Sequence, residues 1–437
     1  MKLIKALVVM LVAVGMILPA VAIAEDRLSL SGEMRVRAFH VDVDSADNTE
    51  TWANQRLRIA GKIAVAEGVS VHFRTDITEG TDWGDSSSFG SGFGNPERSN
   101  GFGHARGGSQ QQWDRAHLDI TKGIFSLRAG QQYVGTGGVW AVDTQDSGLR
   151  VDVKTSIPVT AYFIVDNNNA EAGGADFIHD ENEFLADGVT PNPAYLTYIE
   201  NPNASANTSG KSTNDAYLWG VTVSPKFGET STKFFYAGYD DGREENVTLL
   251  GASANMALGP VNLFGEFDYF TGDANDAAGV DAFGTQLMLD GSMAATDMIT
   301  VGAQFFYAEG DDEDQQYVLL GNGFNGWDPI NDVGTSLSNE EISFNRPFDF
   351  TGESAGVIGG NIYGSFKVSD TLTLGAKAGY YGVEEDAITD EELTAVAGGL
   401  VYSVAENTTF QLQLQYWDLD EADDDVFAAG SGIFVKF

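Results

Sequence analysis

The sequence comprises 437 residues, contains no cysteine and carries a formal net charge of −40. The lack of thiols excludes disulfides, thiolate metal sites and cysteine nucleophiles. The negative charge argues against nucleic acid as a partner, because nucleic-acid binding depends on basic residues that contact phosphates. The 52 glycines and 27 phenylalanines, beside only 10 prolines, are typical of strands joined by tight turns.

The first element is a predicted export signal over residues 1–24. Two lysines precede an apolar run over residues 6–18, and a small-x-small cleavage site ends at Ala24. Because the run is shorter than the roughly 20 apolar residues of a spanning helix, we expect a removed signal peptide rather than an N-terminal anchor. Residues 25–437 are then predicted to form one domain.

Alternation of apolar and polar residues dominates the chain after this signal. In the first alternating segment Leu28, Leu30, Met34 and Val36 alternate with serine, glutamate and arginine, which indicates a strand with two different faces. Eighteen strands are predicted, and a count of sixteen stays open. The predicted spans are 27–43, 52–66, 69–76, 113–121, 125–131, 148–155, 158–166, 215–224, 232–239, 247–257, 261–270, 281–292, 298–308, 356–368, 371–383, 393–403, 408–418 and 426–437.

The connections between these strands alternate in length. Turns such as 66–68 and 121–123 are short, whereas 77–112, 167–214 and 309–355 are long. Short periplasmic turns and long extracellular loops are typical of an antiparallel transmembrane β-barrel. No segment after residue 24 reaches the length of a spanning helix, and a closed barrel is the other structure that satisfies the backbone in lipid. We therefore predict an all-β outer-membrane barrel.

Aromatic residues recur immediately before acidic connections. The examples are Tyr239, Tyr269, Phe270, Tyr307, Tyr380, Tyr381, Tyr416 and Trp417. Aromatic girdles of barrels lie at the membrane interface, so this position predicts one rim of the barrel.

Basic residues share the polar face of the first five predicted strands. They are Arg35, Arg37, Arg56, Arg58, Lys62, Arg74, Arg115 and Arg128. A wall of charge in the lumen would select and orient solutes. The alternative is that these residues pair with Glu33, Asp76 and Asp119 and only satisfy the interior, and both interpretations can hold together.

Four motifs and the last residue carry a resemblance to a known family. The motifs are Gln55–Ile59, Asp114–Asp119, Leu127–Gln131 and Ser147–Asp152, followed at the end by Phe437 on an alternating strand. In their order along the chain they resemble those of Gram-negative general porins, and most of all the homotrimeric porins of sulfate-reducing, Desulfovibrio-type bacteria. Phe437 resembles the terminal assembly signal of outer-membrane proteins.

The resemblance implies a protein of the cell outer membrane that contacts membrane lipid and lipopolysaccharide. It implies a homotrimer, a water-filled channel in each subunit for passive diffusion of ions and small hydrophilic solutes, no cofactor and no enzymatic activity. General porins usually have sixteen strands, and their third loop folds inward. By that resemblance we expect the segment Gln131–Asp146 to narrow the pore and to place Asp143 and Asp146 opposite the arginines.

Two other functions stay open. A channel specific for a sugar or a carboxylate would need an aromatic track, for which Trp52, Trp113 and Trp140 are the scattered candidates. A barrel enzyme or adhesin would have no open pore, but no Ser/His/Asp set can be assigned. The five histidines show no spacing of metal ligands. The acidic connections lack the ordered spacing of a calcium loop, so no metal site is predicted.

Overall fold

The computed structural model describes residues 27–43, 48–82, 112–137, 142–166, 216–240, 246–275, 280–310, 333–335, 337, 356–385, 392–420 and 424–437. The predicted signal at residues 1–24 lies outside these residues. Every regular element in the described ranges is a strand, and all the strands belong to one sheet. Among the same residues, no helix is long and apolar enough to cross a membrane.

The strands follow one another along the chain with antiparallel pairing. They are β1 (Leu28–Val43), β2 (Asn48–Ala66), β3 (Val69–Asp82), β4 (Gln112–Lys122), β5 (Phe125–Thr136), β6 (Val142–Val153), β7 (Val159–Asp166), β8 (Ala216–Val223), β9 (Lys226–Phe227), β10 (Thr230–Asp240), β11 (Asn246–Leu258), β12 (Val261–Asn275), β13 (Val280–Ala294), β14 (Ile299–Ala308), β15 (Val357–Lys367), β16 (Leu372–Gly382), β17 (Glu392–Ala405), β18 (Thr408–Leu419) and β19 (Asp424–Lys436).

The sheet closes on itself, because β1 pairs with β2 on one side and with β19 on the other. β8 and the two-residue β9 both pair with β10 and form one position in the barrel wall. The barrel therefore has eighteen strands, and the predicted strand count is confirmed. At the seam Gly32 and Phe437 exchange backbone hydrogen bonds of 2.7 and 3.0 Å. A closed ladder leaves no unpaired strand edge in the hydrocarbon layer.

The two ends of the barrel differ as predicted. Turns such as 67–68, 123–124, 259–260 and 406–407 join strands at one end, which also holds Leu28 and Phe437. The strands on either side of the long connections 83–111, 167–215 and 309–356 have their free ends at the other end of the barrel. We call these the turn end and the loop end. In outer-membrane barrels the short turns are periplasmic and the long loops extracellular.

The two faces of the wall separate large apolar residues from charge over most of its height. Leu30, Leu250 and Ile362 lie on the outer face with 61%, 57% and 67% exposure, where lipid would cover them. The predicted aromatic rim divides between the two faces. Tyr269, Tyr380 and Tyr416 are exposed on the outside, whereas Phe270, Tyr381 and Trp417 are buried on the inside. Consecutive aromatic residues thus lie on opposite faces of the wall, as the two-residue period of a strand requires.

Candidate pore lining and constriction

The predicted basic residues lie on the inner face of β1–β5. The ladders pair Arg35 with Arg56, Glu33 with Arg58, and Lys62 with His72, and side chains opposite each other share a face. Arg150 on β6 extends this face, because it pairs with Arg128. The alternation around Arg150 is as clear as in the other strands, so the sequence signal for this residue was present. We call this surface, from Arg35 to Arg150 on β1–β6, the basic wall.

Carboxylates stand among these arginines and pair with several of them. Arg56 contacts Glu33 at 2.6 Å, Arg58 contacts Asp76 through two bonds of 2.5 and 2.7 Å, and Arg128 contacts Asp119 at 2.8 Å. These partners are the ones that the sequence suggested. Two more pairs, Arg74 with Asp114 and Arg150 with Asp152, were not predicted.

The basic wall also places arginines directly opposite one another. The pairs Arg35–Arg56, Arg74–Arg115 and Arg128–Arg150 each occupy one register position on adjacent strands. Like charges directly opposite in a ladder destabilise a sheet. The three pairs are therefore a cost to the fold that the nearby carboxylates reduce, and basic side chains outnumber carboxylates on this face.

The ends of β5 and β6 leave the barrel wall together. β5 pairs with β4 only as far as Gln131, and β6 pairs with β7 only from Ser147 onward. Beyond these points β5 and β6 pair only with each other among the described residues, and this two-stranded ladder ends at Thr136 and Val142. Gly130 at the branch point has a φ of 118°, a backbone conformation that favours glycine. We call residues 132–146 the inner hairpin.

Two hydrogen bonds place the inner hairpin inside the barrel. Arg150 pairs with Arg128 on β5 and with Tyr162 on β7, so Tyr162 lies at the same height in the barrel wall as Arg128. If β5 continued straight within the wall, Thr136 would lie about 25 Å beyond Arg128, at roughly 3.3 Å per residue. Instead the Thr136 hydroxyl donates to the Tyr162 hydroxyl oxygen at 3.0 Å, and the Lys233 ammonium on β10 donates to the Gly137 carbonyl at 2.6 Å. The hairpin therefore folds inward across β7–β10.

The inward fold explains why apolar residues occupy the inner face of β7–β10. Val134 and Val142 of the hairpin belong to one buried cluster with Ile164, Leu218 and Phe235 of the wall. On the hairpin's other face the Arg115 guanidinium lies over the Tyr133 ring at 5.5 Å, so the hairpin also meets the basic wall. Apolar burial of this kind holds a hairpin at a fixed height in the lumen.

The predicted boundaries of this segment were wrong. The segment Gln131–Asp146 was expected to be a loop, but β5 continues to Thr136 and β6 begins at Val142. Asp143 pairs with Gly135 and Asp146 with Gln132 in the hairpin ladder. The side chains of both aspartates lie outside the described residues.

A second segment folds inward from the connection between β14 and β15. The Thr335 hydroxyl donates to the side-chain oxygen of Gln413 on β18, and Leu337 is fully buried. A Cβ added to Gly399 on β17 would meet the Val333 methyl at 2.8 Å and the Thr335 methyl at 2.9 Å. Glycine on the wall therefore makes room for this segment, which the sequence did not predict.

Acidic residues face the basic wall from the far side of the barrel. β12 and β13 lie half-way round the ring from β2 and β3. Their inner face carries Glu266, Asp268 and Asp290. Arg74 and Glu266 are each the sixth residue from the turn end of their strands, so they stand at similar heights. The sequence suggested an acidic counterpart only in the third loop.

Of the three tryptophans suggested for an aromatic track, only Trp113 has a described side chain. Trp113 packs edge-on against Phe73 at 6.1 Å, and Phe73 lies on the outer face, so Trp113 does not belong to an inner aromatic track. The side chains of Trp52 and Trp140 lie outside the described residues.

In the described part of the chain, no group of three or more histidine, aspartate or glutamate side chains could hold a metal ion.

Comparison with protein families identifies the barrel. A family model described as Gram-negative porin matches residues 6–325. The chain belongs to the Gram-negative porin family. The porin is thus an outer-membrane channel, and its family and fold indicate a channel rather than an enzyme. No curated protein matches this chain.

Solved structures of proteins from other bacteria share this fold. OccK9 (OpdG) of Pseudomonas aeruginosa is 11% identical, with a TM-score of 0.56 over 94% of this chain and 98% of that chain. OccAB1 of Acinetobacter baumannii is 14% identical, with a TM-score of 0.55 over 96% and 98%. OpdK of P. aeruginosa, solved with vanillate, is 9% identical, with a TM-score of 0.52 over 93% and 99%. At these identities the likeness establishes the barrel fold alone.

Proposed function

We propose that this porin passes ions and small hydrophilic solutes by passive diffusion, through a pore narrowed between the inner hairpin and the basic wall. The inward contacts of Thr136 and Gly137 with β7 and β10 carry the proposal. The retention of three Arg–Arg pairs on the inner face supports a role for that charge in transport, because stability alone disfavours them.

The arginines would act together with a carboxylate on the opposite wall. Positive charge on β1–β6 and the Asp290 carboxylate on the inner face of β13 create a field across the lumen. The proposal also gives Asp143 and Asp146 a place in this field, on the hairpin between the two walls. A transverse field orients polar solutes as they pass and disfavours apolar ones.

Liposome swelling tests the proposal. Proteoliposomes are mixed with neutral sugars of increasing size, and the swelling rate is measured for each. We expect flux that falls smoothly with sugar size. Flux of a single sugar that saturates would indicate a specific channel, and a lack of flux for every sugar would contradict the pore.

A channel selective for small carboxylates is the second candidate. The excess of arginine on the inner face favours it, and OpdK, which shares the fold, was solved with the carboxylate vanillate. Arginine binds carboxylates through two parallel hydrogen bonds. A saturable block of ion current by vanillate or benzoate, absent with the matching neutral amides, would support this candidate over general diffusion.

We also propose the homotrimer that the resemblance implies. On the outer face, Ala116, Gln131 and Ser147 occupy one register line across β4–β6. Outer positions on β7 and β10 instead hold large aromatics such as Phe163 and Phe234. A polar amide facing lipid is unfavourable, and small or polar residues mark protein contacts in membranes. Cross-linking should give trimers that Ser147→Trp abolishes and that Val221→Trp, on the outer face of β8, leaves intact.

Export and assembly complete the proposal. Residues 1–24 would direct secretion, and Phe437 would act as the assembly signal at the barrel seam. Membrane lipid would surround the wall, and lipopolysaccharide would contact it near the loop end. The Phe437 ring lies over Gly32, because a Cβ on Gly32 would meet ring atoms at 2.6 and 2.7 Å. Deletion of Phe437 should lower the amount of folded barrel in outer membranes more than the yield of refolding in detergent.

A further inference from the structure

A buried carboxylate on the inner wall has no compensating partner. Asp268 on β12 is 0% exposed, and within the described part of the chain neither of its carboxylate oxygens accepts a hydrogen bond. An ionised carboxylate removed from water without a partner costs several kcal/mol. The carboxylate must therefore be neutralised by a proton or by a cation, neither of which the side chains around it supply.

The neighbour of Asp268 on the next strand is also buried and also lacks hydrogen-bond partners. Gln286 on β13 pairs directly with Asp268, is also 0% exposed, and has no hydrogen-bond partner for either amide atom among the described residues. Buried polar groups in folded proteins are nearly always hydrogen-bonded. Two adjacent exceptions on one face indicate a shared ligand.

Oxygen donors surround this pair on the same face. Glu266 lies two residues before Asp268 and is 1% exposed, and Ser253 on β11 pairs with Glu266. Gly251 on β11 stands opposite Asp268, and its missing side chain leaves room for the carboxylate. Lys233 shares the register line of Ser253 and Glu266, but its ammonium donates to the Gly137 carbonyl.

We propose that Glu266, Asp268, Gln286 and Ser253 bind a divalent cation, calcium, in the barrel wall. Two carboxylates, one amide oxygen and one hydroxyl can together offer six oxygens, and calcium takes six to eight oxygen ligands. The cation neutralises the buried carboxylates and joins β11, β12 and β13 opposite the basic wall. The site goes beyond the proposed transport function, because it stabilises the wall whether or not solutes pass.

Calcium binding and thermal unfolding of the full-length barrel in detergent test this site. EDTA should lower the unfolding midpoint, and calcium chloride should restore it. Asp268→Asn should remove that dependence and weaken calcium binding by roughly tenfold or more, a loss of about 1.4 kcal/mol or more. Asp290→Asn is the matched control, because Asp290 lies on the same inner face and accepts bonds from the Tyr363 hydroxyl at 3.0 and 3.1 Å.

Two results would overturn the site. One is calcium binding that Asp268→Asn leaves unchanged, which would place the ions on the other acidic residues of this chain. The other is an unfolding midpoint that EDTA does not alter in the wild type. Neither result would affect the transport proposal, since sugar flux is measured separately.

Discussion

Single residues set the charge of the lumen. Arg128 and Arg150 stand opposite each other, and their side chains retain 31% and 26% exposure beside Asp119 and Asp152. Because these cations are partly open to the lumen, their fields reach permeating ions. Residues on this face were predictable from the two-residue period alone. Their carboxylate partners across strands were predictable only in part, because register cannot be read from one strand.

We expect the double variant Arg128→Gln and Arg150→Gln to shift the ion preference of the pore toward cations. Removing two positive charges from the lumen lowers the local concentration of chloride relative to potassium. The reversal potential in a potassium chloride gradient should shift toward the potassium value. Lys367→Gln, which removes a charge beside Asp370 at the turn end, should leave the potential unchanged. Equal shifts in both variants would contradict a selective role for the basic wall.

A second prediction concerns the glycine at which the inner hairpin leaves the wall. Gly130 has a φ of 118°, and its missing Cβ faces the Ala116 carbonyl and the His117 Cα. Gly130→Ala should destabilise the barrel by about 1–3 kcal/mol, the usual cost of a strained backbone residue. Urea unfolding in detergent measures this loss. Gly382→Ala, at a glycine with open space around it, should have little effect. Equal losses of stability in the two variants would contradict a special backbone requirement at Gly130.

At the scale of elements, the strands were predictable and the inward segments were not. Alternation identified all eighteen wall positions, because each strand has one lipid face. The inner hairpin continues as strands beyond Gln131, where the prediction ended β5. Its Val134 and Val142 belong to one buried cluster with Ile164 and Leu218 of the wall, so apolar residues stand on a face expected to be polar. The sequence contains both halves of this contact but no signal that joins them.

The inner hairpin should depend on Lys233. Its ammonium donates to the Gly137 carbonyl, and Lys233→Met removes that bond while keeping most of the apolar stem. A released hairpin leaves a wider and less uniform pore. Single-channel recordings should therefore show higher conductance with more frequent current steps, and Lys226→Met on β9 should resemble the wild type.

Deleting residues 134–145 tests the same element more strongly. The deletion removes the part of the hairpin that contacts Tyr162 and Lys233, so conductance should rise above that of Lys233→Met. An unchanged conductance in a folded deletion variant would show that the hairpin does not narrow the pore.

For the whole molecule, the net charge of −40 and the basic lumen act on ions in opposite directions. Exposed acids follow strand ends, as at Asp240 and Glu384, whereas the arginines line a partly buried face. Exposed charges are screened over about 10 Å at 0.1 M salt and about 3 Å at 1 M, and buried charges are screened less. High salt should therefore weaken the electrostatic attraction of cations to the acidic ends of the channel more than the attraction of anions to its basic wall.

We expect the ion preference to shift toward anions as the salt concentration rises at a fixed ratio across the membrane. Reversal potentials would be measured with the same tenfold gradient of potassium chloride, set around low and then around high mean concentrations. The potential should move toward the chloride value as the mean concentration rises, because the surface acids then attract less potassium while the arginines still act inside. In the Arg128→Gln and Arg150→Gln variant this movement should be smaller. A movement toward the potassium value in the wild type would mean that the lumen carries net negative charge, despite the basic wall.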